Sequence, residues 1–146
     1  MSNRRWKRDQ RHHKRTRHLY ALLFGNGCAY VGQSIDVQKR EQQHRRPTGG
    51  WGGRHFQCVH LGAINDTEER AKEYEHAWRH KAAKNGWTIY AKPPDMVVDH
   101  HNQMTSRRYM LAWSLRWPKQ YSRNKKGPGR WIAVALIMLG CAYLLW

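Results

Sequence analysis

Five polar side chains that can take part in phosphoryl chemistry lie between residues 20 and 75: Tyr20, Tyr30, Arg40, His44 and Glu75. A guanidinium can hold a phosphate in a forked contact, and a carboxylate can bind a hard divalent cation. Histidine and tyrosine side chains can orient a water molecule or move its proton. Hydrolysis of a phosphodiester needs groups of these kinds, provided that the fold brings them to one place.

The elements that must position these groups are indicated by apolar runs and turn-forming residues. The Gly25-Asn26-Gly27 turn favours a tight hairpin, because these residues tolerate positive φ. The order of elements predicts an α+β unit. In chain order we expect strands at 19–24 and 28–32, a helix capped at 34 or 36 and ending near 46, a strand at 56–64, a helix capped at 66 or 67 and ending near 84, and a basic helix at about 102–117.

Helical spacing places Arg40 and His44 on one face of the first helix. Val37, Arg40 and His44 fall at i, i+3 and i+7, so this face begins with an apolar residue that can pack on the sheet. A histidine on a helix is more often structural than catalytic, and most arginines are solvated. The spacing alone therefore predicts a shared face and leaves the role of the two residues open.

The second helix carries a carboxylate on its apolar stripe. Glu75 lies between Ala71 and Trp78 at helical spacing. Burying an unpaired carboxylate is costly, so a metal ion or an arginine such as Arg40 is expected to accompany it. The alternative is an i,i+4 ion pair between Glu75 and Arg79, and this is the more ordinary interpretation of the helix taken alone.

The order and spacing of these motifs resemble the GIY-YIG nuclease superfamily. The resemblance covers residues 18 to about 92 and includes His18-Leu19-Tyr20, Tyr30-Val31-Gly32, then Arg40 and His44, and finally an Ala71-x-x-x-Glu75-x-x-Trp78 helix. It implies a small three-stranded antiparallel sheet flanked by helices. It also implies a metal-dependent endonuclease that hydrolyses phosphodiester bonds in nucleic acid, with DNA as the expected substrate.

The resemblance also implies a role for each of the five residues. Glu75 would be the sole protein carboxylate on a single Mg²⁺ or Mn²⁺ ion, and Arg40 would hold the phosphate and stabilise its developing charge. Tyr20 would orient or deprotonate the attacking water, with His44 as the rival base or as an orienting partner. Tyr30 would position phosphate or water through its hydroxyl.

The chain departs from the family pattern at two points. His18-Leu19 stands where the family name has Gly-Ile, although the tyrosine that follows is retained. A family asparagine is expected after the glutamate helix, and here Asn85 and Tyr90 are the obvious polar residues in that region. The position of this asparagine is therefore open between these two residues or absent.

The charge of the chain points to polyanionic partners. There are 27 Lys and Arg residues against 10 Asp and Glu, which gives a net charge of +17. A charge of this size favours nucleic acid first and an anionic membrane surface second. The candidate phosphate contacts are Arg4, Arg5, Arg8, Arg11 and Arg15 in a basic arm at residues 1–17, and Arg107 and Arg108 in the later basic helix.

Two further segments follow the 18–92 unit. Residues 93–130 are predicted to be a basic helical extension that ends in a linker, and residues 131–146 are apolar throughout. Sixteen residues make a helix of roughly 24 Å, slightly short of a usual membrane span of about 20 residues. With basic residues just before it, the segment is interpreted as a tail anchor, and the alternative is a helix docked on the core.

The three cysteines, Cys28, Cys58 and Cys141, form no C-x-x-C pair and favour a reducing compartment. We therefore expect a cytoplasmic protein, anchored at the cytoplasmic face of a membrane if the tail inserts. Two alternatives to the nuclease stay open. One is a nonenzymatic nucleic-acid-binding protein on a decayed nuclease scaffold, and the other is a protein that binds an anionic membrane surface.

Overall fold

The structure is a computed structural model that describes residues 12–92, 96–97 and 99–123. Arginines 4, 5, 8 and 11 of the basic arm and the whole apolar segment 131–146 lie outside these ranges. Within the described ranges, no helix is both long enough and apolar enough to cross a bilayer.

The described part of the chain forms one mixed β-sheet with three α-helices, so the predicted α+β class is confirmed. The strands are β1 (Arg15–Phe24), β2 (Cys28–Ser34), β3 (Phe56–Asp66), β4 (Thr88–Lys92) and the two-residue β5 (Met96–Val97), in the order β3-β1-β2-β4-β5. The helices are α1 (Val37–Arg45), α2 (Glu68–Lys84) and α3 (Ser106–Ser114). Short 3₁₀ turns occupy His100–Gln103 and Lys119–Tyr121.

The prediction of a three-stranded antiparallel sheet is wrong in the number of strands and in the direction of one of them. Strands β1, β2 and β3 are antiparallel as expected, but β4 pairs parallel with β2, with Cys28 opposite Thr88. A parallel pair needs a long crossover connection, here supplied by α1, β3 and α2. The pairing joins residues 60 positions apart, so no local pattern in the sequence indicates it.

The predicted helix boundaries are confirmed for α1 and α2, because the expected caps are made. The Asp36 side chain accepts a hydrogen bond from the Lys39 amide at 2.9 Å, and the Thr67 side chain caps α2 in the same way. Asn85 follows the last turn of α2. The basic helix is shorter than predicted, since Thr105 caps it and it ends at Ser114.

The sheet separates two apolar layers because β1 side chains alternate between its faces. Leu19 and its alternate neighbours pack against Trp78 of α2 and against Trp117. Tyr20 and its alternate neighbours face a second cluster that contains Trp51. We call the Leu19 side the α2 face of the sheet and the Tyr20 side the Tyr20 face.

The folded unit extends beyond both ends of the predicted range 18–92. Strand β1 begins at Arg15 and so takes in the last three residues of the predicted arm, where Arg17 is buried and donates to the Asp66 carbonyl. At the other end, the Arg123 amide donates to the Asn85 carbonyl at 2.8 Å. Residues 115–123 therefore complete the core that the earlier strands begin.

Candidate active site

Four of the five predicted residues meet on the Tyr20 face of the sheet. Tyr20 comes from β1, Tyr30 from β2, and Arg40 and His44 from α1. The rings of Tyr20 and Tyr30 both lie within 6 Å of the His44 ring, at 5.9 and 5.7 Å between centroids. Glu75 comes from α2, which packs on the opposite face of the sheet.

His44 is held by a hydrogen bond at each ring nitrogen. Its Nε2 lies 2.9 Å from the Tyr20 hydroxyl, and the Trp51 indole Nε1–H donates to its Nδ1 at 3.1 Å. All three side chains are buried. Because indole is only a donor, Nδ1 must accept, and a neutral imidazole then carries its proton on Nε2. His44 therefore donates to the Tyr20 oxygen.

This arrangement directs the Tyr20 hydroxyl proton away from His44. A phenolic oxygen that accepts from an imidazole keeps its own O–H for another acceptor. Burial, together with the positive charge of Arg40, lowers the pKa of His44 to about 4, so the ring is neutral at pH 7. Both ring nitrogens are engaged, which makes His44 an orienting partner of Tyr20 rather than a free base.

The electrostatics of the two phenols are dominated by burial. Burial raises the pKa of Tyr20 well above its usual range, and the neighbouring Tyr30 raises it further. The pKa of Tyr30 is likewise raised by burial first. Arg40 opposes both shifts through its charge and hydrogen bonding. Both phenols are therefore neutral in the resting protein, and Arg40 is the cation that acts on both.

Gly32 makes room for the Tyr20 ring. It lies directly opposite Tyr20 in the β1–β2 register. A Cβ at this position would come within 2.8 Å of the Tyr20 hydroxyl and 2.9 Å of a Tyr30 ring carbon. These distances are too short for real contacts, so the glycine of the Tyr30-Val31-Gly32 motif is needed for the position of both phenols.

Glu75 is paired with Arg79, as the ordinary interpretation of the helix predicts. The Arg79 guanidinium donates to Oε1 of Glu75, and it also donates to Gln103 at 3.4 Å. Burial nevertheless raises the pKa of Glu75, so the arginine does not fully compensate the buried charge. The carboxylate also raises the pKa of Tyr20 and Tyr30, which places its charge within electrostatic reach of both phenols.

Glu75 offers one carboxylate to a hard cation, and one of its two oxygens already accepts from Arg79. In the described part of the chain, no three His, Cys, Asp or Glu residues come together to form a fuller cage. Mg²⁺ commonly accepts one or two carboxylates and fills its shell with water and phosphate oxygens. The under-compensated charge of Glu75 is the observation that favours a cation here.

Two residues that sequence reasoning left out of the site belong to its surroundings. Trp51 lies in a glycine-rich segment to which the sequence pattern assigned no role, yet its ring packs on Tyr30 and its indole fixes His44. The one signal that could have indicated it is a tryptophan flanked by glycines. Arg79 was expected only as a surface partner of Glu75, but it is buried, and its charge lowers the pKa of Tyr30.

The two candidates for the family asparagine each make a hydrogen bond of their own. The Asn85 side-chain amide donates to the Lys81 carbonyl at 2.8 Å and so closes the end of α2. The Tyr90 hydroxyl accepts from the Asn26 side chain at 2.8 Å, at the β1–β2 turn. Neither contact involves the four residues that meet on the Tyr20 face.

The predicted phosphate-binding arginines differ in what they contact. Arg107 is exposed on α3, whereas Arg108 makes an ion pair with Glu73 of α2 at 2.7 Å. Arg15 is half-buried in β1, opposite Asp66 of β3. In the described ranges, Arg107 is thus the exposed member of the predicted set.

No protein-family model matches this chain, and neither the curated proteins nor the solved structures contain a match to it. The chemistry of the site therefore rests on its own geometry.

Proposed function

We propose that this chain is a metal-dependent endonuclease of the GIY-YIG type, which hydrolyses phosphodiester bonds in nucleic acid, DNA being the expected substrate. The observation that supports this best is the hydrogen bond between Tyr20 and His44, with Arg40 acting on the same phenol.

Each residue has a distinct part in the proposed reaction. The Tyr20 hydroxyl, whose own proton points away from His44, orients the attacking water. Arg40 binds the phosphate oxygens and stabilises the charge that grows on them. In the reaction the water oxygen forms a bond to phosphorus while the bond to one ester oxygen breaks, which yields a phosphate monoester and an alcohol.

The carboxylate supplies the site for a cation. Glu75 would hold a single Mg²⁺ or Mn²⁺, and such an ion, when bound, polarises the phosphate and neutralises the leaving oxygen. Arg79 favours the ionised form of Glu75, because its charge and its hydrogen bond both oppose the effect of burial on the carboxylate pKa.

The test compares two glutamates of the same helix in the full-length protein, kept in mild detergent because of its apolar tail. Supercoiled plasmid is incubated with Mg²⁺, and nicking is followed on a gel. We expect Glu75→Gln to reduce cleavage by about 100-fold or more, and EDTA to abolish it. Glu69→Gln, an exposed first-turn residue, should cleave as the wild type does. Thermal unfolding of both variants shows whether the fold survives.

A nonenzymatic nucleic-acid-binding protein is the second candidate, and the ion pair between Glu75 and Arg79 is the observation that favours it. Tight plasmid binding without cleavage by the wild type, in either Mg²⁺ or Mn²⁺, would support this candidate and overturn the nuclease. Equal cleavage by the wild type and by Glu75→Gln would remove Glu75 from the site.

A further inference from the structure

Two histidines other than His44 lie side by side on adjacent strands of the sheet. Nδ1 of His18 lies 3.1 Å from Nε2 of His60, and the two ring centroids are 5.2 Å apart. His60 is exposed and His18 is half-buried, so an ion from solvent can reach the pair. The proposed nuclease site does not use either ring.

The backbone fixes the positions of the two rings before any ligand arrives. His18 is in β1 and His60 is in β3, and these strands pair from Arg15 to Phe24. A bulge between Leu19 and Tyr20 shifts the register, which leaves His60 opposite Tyr20 and brings its ring beside His18. Both rings project from the Tyr20 face of the sheet.

The separation of the two nitrogens suits a shared metal ion. Imidazole nitrogens bind zinc at about 2.0–2.1 Å, so two of them on one ion at angles near tetrahedral or somewhat smaller lie roughly 3.0–3.4 Å apart. The observed 3.1 Å falls within this range. We propose that His18 and His60 chelate a divalent transition metal ion such as Zn²⁺, Ni²⁺ or Cu²⁺. The ion takes the place of the proton that lies between the two nitrogens. The ring that gives up this proton is reprotonated from solvent at its other nitrogen, so both ligands are neutral imidazoles.

The chemistry of the ligands sets the selectivity and the strength of the site. Imidazole prefers these transition metals, whereas Mg²⁺ prefers oxygen ligands, so the pair is distinct from the carboxylate at Glu75. Among the described residues no third His, Cys, Asp or Glu joins the two rings. Water therefore completes the coordination shell, and binding is reversible rather than a condition of folding.

A metal ion bound to His18 and His60 would lie close to Tyr20. His60 lies opposite Tyr20 in the β1–β3 register, so a bound ion adds positive charge next to the phenol. We expect transition metals to change the fluorescence or the NMR signals of the Tyr20 neighbourhood. This expectation does not depend on nuclease activity.

The test is calorimetric titration of the full-length protein with Zn²⁺ and, separately, Ni²⁺, in excess Mg²⁺. The matched variants are His18→Ala, His60→Ala and, as a control, the exposed His55→Ala. We expect His18→Ala and His60→Ala each to lower the affinity of one metal-binding event by at least tenfold. His55→Ala should leave that affinity unchanged. Cu²⁺-loaded wild type should show an electron paramagnetic resonance signal with two imidazole nitrogens.

Two results would overturn the proposal. If all three variants titrate like the wild type, the metal binds elsewhere among the ten histidines. If neither Zn²⁺ nor Ni²⁺ binds to the wild type, the pair is only a hydrogen bond between strands. Loss of binding in the two site variants, with unchanged circular dichroism spectra, excludes misfolding as the cause.

Discussion

At the scale of single residues, the direction of the Tyr20 hydroxyl proton depends on Trp51, although these two side chains are not hydrogen-bonded to each other. Trp51 can only donate, which sets the acceptor nitrogen of His44 and makes its other nitrogen the donor to Tyr20. The indole is buried among aromatic rings and cannot turn away from His44 without disturbing them. A packing residue thereby determines which way a polar hydrogen points.

We predict that Trp51→Phe changes the protonation of His44 while it preserves most of the packing. The Trp51 hydrogen bond to Nδ1 stabilises the neutral ring, so its removal should raise the His44 pKa above about 4. Burial and the charge of Arg40 remain and keep this pKa below the ordinary value of about 6.5. Nitrogen-15 NMR should show an unprotonated Nδ1 in the wild type and a mixture of tautomers in the variant. Plasmid cleavage should fall by about tenfold, the equivalent of one hydrogen bond.

The control for this prediction is Trp113→Phe. Trp113 is 89 % exposed on α3, so its replacement should leave the His44 titration and the ring-nitrogen shifts as they are. If Trp51→Phe also leaves them unchanged, the indole contributes packing alone and the tautomer is set in some other way.

At the scale of elements, the sequence predicted the local structure around the site better than the way in which the elements pair. The caps at Asp36 and Thr67 act through neighbours three residues away, so a sequence pattern contains the whole interaction. The parallel pairing of β2 with β4 depends on a crossover of more than fifty residues. No rule of residue spacing in the sequence predicts this pairing.

The same distinction explains which site residues could be predicted. Arg40 and His44 share a helix face, and their spacing alone brings them together. Trp51 reaches His44 from an irregular segment, where side-chain direction follows no period. The ion pair of Glu75 with Arg79 is local, and the sequence offered it as the alternative to a metal ion or Arg40. The burial that raises the Glu75 pKa comes from packing of α2 on the sheet.

We predict that Glu73→Gln loosens α3 from α2. Glu73 accepts hydrogen bonds from Nε and Nη2 of Arg108, and this contact lowers its pKa. The stabilisation should be full above the ordinary glutamate pKa of about 4.3 and be lost as the pH falls through the lower pKa of the folded state. The pair is partly solvated, so we expect a loss of about 1 kcal/mol at pH 7.

This prediction is tested by measuring the free energy of unfolding in urea for the wild type and Glu73→Gln from pH 7 to pH 3. The difference in unfolding free energy should shrink toward zero at the acidic end, where the wild-type carboxylate is also neutral. A difference that stays constant with pH would assign the loss to packing rather than to the ion pair with Arg108.

At the scale of the whole molecule, the net charge of +17 predicts attraction to any polyanion, but it does not say which surface makes the contact. The exposed side of α3 combines Arg107 with Met110, which is 71 % exposed, and with Trp113. An arginine can bind a phosphate and a tryptophan can stack on an unpaired base. We infer from this combination that the exposed side of α3 is a candidate contact surface for nucleic acid.

We predict that Arg107→Ala weakens nucleic-acid binding and reduces its dependence on salt. Each phosphate neutralised on duplex DNA contributes about 0.9 to the slope of log affinity against log salt concentration. Loss of the Arg107 contact should therefore lower the slope by about one, equally for unrelated sequences. Fluorescence anisotropy with labelled duplexes at several salt concentrations measures both quantities.

Arg70→Ala removes the same charge from the molecule but from a different environment, since the Arg70 guanidinium lies 3.5 Å from Asp66. If binding responds only to net charge, the two variants should lose affinity equally, and α3 has no special part in it. If Arg107 contacts a phosphate directly, only its variant should change the salt slope. The comparison thus separates a specific surface from the general attraction that a charge of +17 exerts on any polyanion.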